Sequence, residues 1–263
     1  MKLILCADDF GYSAAVDQAI IQLITKKRLS AASCMTLSPH WKEAAKAITP
    51  SIRDQAAIGL HLDFTHFGDA YSHPKLILLS NARLLSSKRI QASINQQLDN
   101  FEAALGTMPD YVDGHQHVHQ LPQIREILLA TIIKRYGKQL PWLRIARPPL
   151  SEGLKGLAIR MLGANALEKQ ARALGFEFSD CLLGVYSFDG DAEAYKKHLI
   201  DWLAEGLSLK SKKAAVLMCH PSTASDESDT IYKARLVENE VLNSQFLDDA
   251  LKAKKISLVK VPA

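Results

Sequence analysis

Lys2-Leu3-Ile4-Leu5-Cys6-Ala7-Asp8-Asp9-Phe10-Gly11 opens the chain with an apolar run that ends on two acids and a turn-forming glycine. Four later stretches follow the same plan. They are Ala57-Ile58-Gly59-Leu60-His61-Leu62, Tyr111-Val112-Asp113-Gly114-His115-Gln116-His117-Val118-His119, Trp142-Leu143-Arg144-Ile145-Ala146-Arg147-Pro148-Pro149 and Ala215-Val216-Leu217-Met218-Cys219-His220-Pro221. Each reads as a strand buried on both faces, with a chemically active side chain at its carboxyl end. In parallel α/β folds the ends of several strands converge on one mouth, where functional residues collect. Two acids and several histidines arriving together predict a metal-assisted hydrolase.

Between these runs the periodicity switches to helical. Val16, Ile20, Leu23 and Ile24 repeat on one face after Ser13, a plausible N-cap. The clearest helix runs from Lys88 to Leu105, with Ile90, Ile94, Leu98, Phe101 and Leu105 in one stripe and Gly106 as its stop. Further helices are expected near 41–48, after Leu121-Pro122, over 153–174 up to Gly175, over 192–207 and over 237–253. Residues 65–87, with Gly68 and His73-Pro74, read as a long loop over the mouth, where His66 and His73 could touch a substrate. Additional strands at 31–37, 181–186 and 256–261 bring the count to eight. Eight strands alternating with helices predict an α/β fold, a distorted TIM-like (β/α) barrel, with an open doubly wound sheet as the alternative.

With 263 residues, 48% of them apolar, the chain can fill one large core, and no linker or repeat divides it, so a single domain over 1–263 is expected. The net charge of +4 is modest. The basic clusters Lys26–Arg28, Lys210–Lys213 and Lys252–Lys255 sit beside helix ends or turns and read as solvated termini rather than a nucleic-acid surface. Cys6, Cys34 and Cys219 lie in apolar runs and Cys181 opens another, so buried thiols are expected and a cysteine-built zinc site is not. The first run reaches Asp8 too early for a signal-peptide core, and no apolar stretch approaches the ~18 residues of a membrane span. A soluble cytoplasmic protein is the expectation. An apolar helix stripe left exposed would support a homodimer, although core packing explains the same pattern.

Adjacent strand residues point to opposite sides, so Asp8 and Asp9 reach one site only if the chain is already turning. One carboxylate could then bind metal while the other accepts a proton from water. Asp113, His115, His117 and His119 share parity and would face one side of an extended strand. Positions 115 and 119 would lie about 13 Å apart there, so they could share an ion only if the chain turned helical between them. One metal ligand from this cluster is the economical reading, with Asp113 or a neighbouring imidazole holding that ligand's tautomer. Arg147, fixed by the proline after it, could orient a carboxylate, and His220 could donate a proton to a leaving group. The acidic loop Asp226-Glu227-Ser228-Asp229 lacks calcium-loop spacing and reads as a solvated turn.

Taken in order, Ala7-Asp8-Asp9-Phe10-Gly11, Gly59-Leu60-His61-Leu62, Asp113 to His119 and Cys219-His220-Pro221 resemble the successive motifs of the YdjC-like carbohydrate deacetylase family, which includes chitooligosaccharide deacetylases and hopanoid-biosynthesis-associated members. The resemblance implies a distorted barrel with one divalent ion held by Asp9, His61 and His115, and Asp8 as the neighbouring base. By likeness to the wider polysaccharide deacetylases, Arg147 would steady that base and His220 would act as general acid. Asp113, His117 and His119 would then support the ligands or face a small N-acetylated carbohydrate. Two imidazoles and a carboxylate suit zinc by ligand type, with magnesium also open. The alternatives are hydrolysis of another bond, such as a phosphate ester, or a non-catalytic metal- or carbohydrate-binding protein. Residues 151–207 match no motif.

Overall fold

A computed structural model describes residues 1–68, 71–209, 211 and 213–262 of the chain. Lys210 and Lys212 of the expected basic cluster and Asp69 and Ala70 of the expected loop lie outside the described residues. The described residues form eight strands: β1 (Lys2–Phe10), β2 (Ala31–Cys34), β3 (Ala57–Leu62), β4 (Tyr111–Gly114), β5 (Trp142–Leu143), β6 (Leu182–Leu183), β7 (Ala215–Cys219) and β8 (Ser257–Leu258). The α-helices are α1 (Ala14–Thr25), α2 (Trp41–Ala44), α3 (Pro50–Gln55), α4 (His73–Asn81), α5 (Ser87–Leu105), α6 (Ile124–Tyr136), α7 (Gly153–Met161), α8 (Ala164–Ala173), α9 (Ala192–Ser208), α10 (Tyr232–Asn243) and α11 (Gln245–Ala253).

Every strand pairing is parallel, in the order β5-β4-β3-β2-β1-β7-β6, as βαβ crossovers require. The sheet curls, and β5 at one end is bridged in parallel through Leu143 to Phe178, in the segment that leads into β6 at the other end. There the Leu143 N–H donates to the Glu177 carbonyl at 3.0 Å and the Ser179 N–H donates to the Leu143 carbonyl at 3.0 Å. The eighth strand is not a stave of this ring. Leu3 already pairs with Ala215 of β7, so β8 takes the other edge of β1, ahead of the point where β2 begins its pairing at Cys6. The barrel is thus seven-membered with one weak seam, and that accounts for its distortion.

Strand alternation separates two cores. Leu3, Leu5 and Ala7 pack outward with Ile20, Leu23 and Leu98 of the helix layer. Ile4, Cys6, Ala31, Ala57, Tyr111, Trp142, Val216 and Met218 form an inner cluster. Tyr111 stacks on Trp142 with ring centroids 4.3 Å apart. The Tyr111 ring occupies the place where a side chain on Gly59 would stand, which is why β3 carries a glycine there.

The stripe of α5 is buried within the chain at Ile90, Ile94, Leu98 and Phe101. Each such side chain stabilises the fold by about 1.5–3 kcal/mol relative to exposure. Gly106 ends the helix at φ 70°, a left-handed cap. Three expectations are corrected. The loop over 65–87 contains α4, because Pro74 falls in a first helical turn, where its missing N–H has no intrahelical partner. The helix over 153–174 is broken at Gly163 (φ 128°), where a Cβ would strike the Gln120 carbonyl. The last helix begins earlier, at Tyr232, and breaks at Ser244, whose ψ of 162° is extended. No helix among the described residues is long and apolar enough to cross a membrane.

Candidate active site

Ile4, Cys6 and Asp8 share the inward parity of β1, and strict alternation would turn Asp9 outward. Instead Asp9 adopts φ 69°, and the β1–β2 register shifts between Ala7 and Phe10. Aspartate tolerates this left-handed conformation better than most residues. The irregularity brings both carboxylates to the wall of one cavity of about 380 Å³, together with His61, His115, His117 and His220. That volume lies at the small end of the ~300–1,000 Å³ typical of ligand sites.

Asp9 Oδ1 faces two imidazoles, 3.2 Å from His115 Nδ1 and 3.5 Å from His61 Nε2. One ligand atom from each of Asp9, His61 and His115 lies within 4.8 Å of the others, a spacing that suits one cation. His61 Nδ1 donates to Asp113 Oδ1 at 2.7 Å, which turns Nε2 towards Asp9. Asp113 therefore orients His61 rather than a member of its own histidine cluster. Burial alone would lower the His61 pKa, but Asp113 and then Asp8 push it up to about 10. A cation at this site competes with that proton for Nε2.

A second group of potential ligands, Cys6, Asp8 and Asp113, is buried behind the first. The Arg144 guanidinium already sits among them, 2.6 Å from Asp8 Oδ1, 3.1 Å from Asp113 Oδ2 and 3.7 Å from Cys6 Sγ. Its positive charge disqualifies that group as a cation site. Arg144 grips Asp8 with two nitrogens, the second donating to Oδ2 at 2.8 Å. Burial would raise the Asp8 pKa, but Arg144, followed by His61, holds it below the usual carboxylate range. His220 Nε2 faces the same carboxylate at 3.9 Å.

Arg147 is not part of this arrangement. Its guanidinium pairs with Glu168 and donates to the Asp180 carbonyl at 2.7 Å. The reason is parity: Trp142 and Ala146 belong to the inner cluster and Leu143 and Ile145 to the outer one, so Arg144 points inward and Arg147 outward. The histidine cluster also departs from an extended strand. β4 stops at Gly114, and residues 115–120 coil into a 3-10 segment with left-handed φ at Gln116 (51°) and His117 (61°). The chain does turn helical, yet only His115 joins Asp9. His119 Nε2 donates instead to the Arg144 carbonyl at 2.7 Å, and burial pushes its pKa down to about 4. His117 lines the cavity, with its Nδ1 buried and unpartnered, and burial followed by Arg144 holds it well below the ordinary imidazole range.

Three contributors were not singled out in the sequence. Arg144 is one. Arg235 of α10 donates to Asp9 Oδ2 at 2.8 Å and also pairs with Asp229. Glu238, one turn further on, accepts the His220 backbone N–H and, at 2.6 Å, the Tyr186 hydroxyl. Asp229 is buried rather than solvated as its acidic loop suggested. His66 and His73 do reach the cavity wall, beside Tyr12, Lys155 and Phe188.

A parallel α/β barrel whose strand ends and following turns bring two carboxylates and four imidazoles to one cavity has the layout of a barrel enzyme's active site. The chain belongs to the YdjC-like protein family, which matches residues 2–253. Its relatives include the carbohydrate deacetylase of Homo sapiens, 25% identical over 250 residues, which span 84% of this chain and 75% of the relative. A chitooligosaccharide deacetylase of Yersinia pestis (strain Pestoides F) is 28% identical over 172 residues, spanning 57% of this chain and 66% of the relative. An Enterococcus faecalis structure named for cellobiose-phosphate cleavage superposes with a TM-score of 0.73 at 22% identity, covering 98% of this chain and 97% of that one. A family 4 acetyl xylan esterase from Clostridium thermocellum, solved with a cobalt ion, gives 0.50 at 11% identity, covering 98% and 87%. Both structures are similar in fold.

Proposed function

We propose that this chain is a cation-dependent hydrolase that removes acetyl groups from small N-acetylated carbohydrates. One observation carries the reading. The Asp8 carboxylate, pinned by Arg144, has its Oδ2 3.9 Å from His220 Nε2 and 4.0 Å from Nε2 of His61, a member of the Asp9–His61–His115 group. The names of the family's relatives supply the substrate class.

Asp9, His61 and His115 would hold the ion, and their two nitrogens favour a borderline ion such as zinc over oxygen-seeking magnesium. When bound, the ion supplies Lewis acidity, which acidifies water and polarises an acetyl carbonyl. Asp8 accepts the proton of the attacking water. Its pairing with Arg144 makes it a weak base, so it is ionised throughout the working range and depends on that acidification of water. His220 Nε2 delivers a proton to the departing amine nitrogen, completing hydrolysis to acetate and an amino sugar. Glu238 fixes the His220 backbone from behind, and the Phe188 ring packs edge-on against the imidazole at 5.2 Å, shielding it from bulk water.

The test is acetate release from a panel of N-acetylated sugars by protein loaded with zinc or magnesium, beside Asp8→Asn and His115→Ala. Release that requires the ion and disappears in both variants is expected. A silent panel from protein with bound ion would overturn the deacetylase reading.

A further inference from the structure

Asp9 is gripped from behind. Arg235, only 3% exposed, donates through Nη2 to Asp9 Oδ2 at 2.8 Å. Its Nε pairs with Asp229 Oδ2, its Nη1 reaches the His220 carbonyl at 3.5 Å, and the Tyr12 ring lies 5.1 Å from its guanidinium carbon. Asp229 is itself fixed, because its Oδ1 accepts the Ile231 N–H at 3.0 Å. Asp9 Oδ1 alone is left to face His61 and His115. Glu238 on the same helix fastens the His220 backbone, so α10 ties down both sides of the cavity.

From this arrangement we infer that Arg235 is a positioning residue that makes Asp9 a one-oxygen donor and thereby sets the affinity and coordination of the cation site. Two imidazoles and a single oxygen form an N,N,O set suited to borderline ions. Arg235 on Oδ2 opposes the bidentate carboxylate that larger oxygen-seeking ions exploit, because its charge and hydrogen bond already claim that oxygen. The inference rests on the Asp9–His61–His115 group binding a cation. It does not require the substrate to be a sugar.

The experiment uses Co2+ as the probe on the full chain, with calorimetric titration for affinity and visible absorbance for coordination. Arg235→Met is expected to weaken Co2+ binding about 10–100-fold, as loss of a ligand's hydrogen-bond partner does elsewhere, and to alter the cobalt spectrum. Arg235→Lys, which keeps a charged donor, is expected to restore most of the affinity. Asp229→Asn, which loosens Arg235 without removing it, should fall between wild type and Arg235→Met, and it decides the matter if Arg235→Met does not fold. Wild-type affinity and spectrum in a folded Arg235→Met, or in Asp229→Asn if that is the deciding variant, would overturn the inference alone. A loss that lysine does not restore would assign Arg235 to packing and also overturn it. Wild-type protein that binds Co2+ but releases no acetate sinks the deacetylase reading and leaves this inference standing. Wild-type protein that binds no Co2+ overturns both.

Discussion

His61 and Asp113 are partners in the register of β3 and β4, and their side chains meet across it at 2.7 Å. Neighbouring parallel strands thus place the imidazole that faces Asp9 and its orienting carboxylate side by side. Ser33 adds a hydrogen bond to the other Asp113 oxygen at 2.6 Å, so the carboxylate cannot swing away. Asp113→Asn is expected to reduce cation affinity and acetate release about 10–100-fold, because the amide no longer enforces the His61 tautomer. Titration calorimetry beside the acetate assay checks this, and unchanged affinity would contradict it.

Arg144 and Arg147 should separate cleanly in experiment. Arg144 is fully buried between Asp8 and Asp113, and removing one partner of such a cluster typically destabilises by about 3–5 kcal/mol. Arg144→Met is therefore expected to lower the urea midpoint strongly and abolish turnover. Arg147→Ala loses a partly exposed pair, worth about 1 kcal/mol or less, and should leave turnover near wild type. Equal loss of activity in both would refute the assignment of Arg144 to Asp8.

Asp17 gives stability a particular pH dependence. Its carboxylate accepts the Gly11 N–H at 2.5 Å, and burial raises its pKa from 3.8 to about 6. The folded chain therefore keeps a proton that the unfolded chain has already lost, and unfolding free energy falls as pH rises from about 4 to about 6. Asp8 and Asp9, with lowered pKa values, act in the opposite sense, and their contribution is lost as pH drops below about 3.9. Asp17→Asn should flatten the upper window. Urea midpoints measured across it will show whether the difference between wild type and variant has this slope.

How far the sequence could be read followed from strand parity. All eight strand positions were visible as apolar runs, and Asp8, Asp9, His61, His115 and His220 stood out because they close such runs. Arg144 was legible too, since Trp142-Arg144-Ala146 alternates with Leu143-Ile145-Arg147, but the prolines after Arg147 drew attention to the wrong face. The coil at 115–120 was hidden, because nothing local marks Gln116 and His117 as left-handed. Arg235 and Glu238 share the buried face of α10 with Ala234, Val241 and Leu242. Two charged residues on an otherwise apolar stripe are a usable signal that such pairing lies behind them. Asp229 could not be told from its solvated neighbours, because its burial depends on Arg235, a residue of the helix that follows.

Gly59 offers a test of the barrel interior. A methyl group there would collide with the Tyr111 ring, which is itself stacked on Trp142. Gly59→Ala is expected to destabilise by about 1–3 kcal/mol through overpacking. Because Tyr111 bonds Ser33 at 2.8 Å, and Ser33 bonds Asp113, the displaced ring should also weaken cation binding. Thermal melts and a cation titration on the same sample would reveal whether the two effects travel together.

The isolated bridge between Leu143 and Phe178 joins β5 to the segment before β6 through fewer ladder pairs than β1 shares with β2 or β7. Local opening is easiest where the fewest backbone bonds must break. Cys181 lies in that segment, whereas Cys6, Cys34 and Cys219 sit within β1, β2 and β7, and all four thiols are buried and unpaired. An alkylating reagent should reach Cys181 first, while the strands bearing Asp9, His61 and Asp113 remain shut.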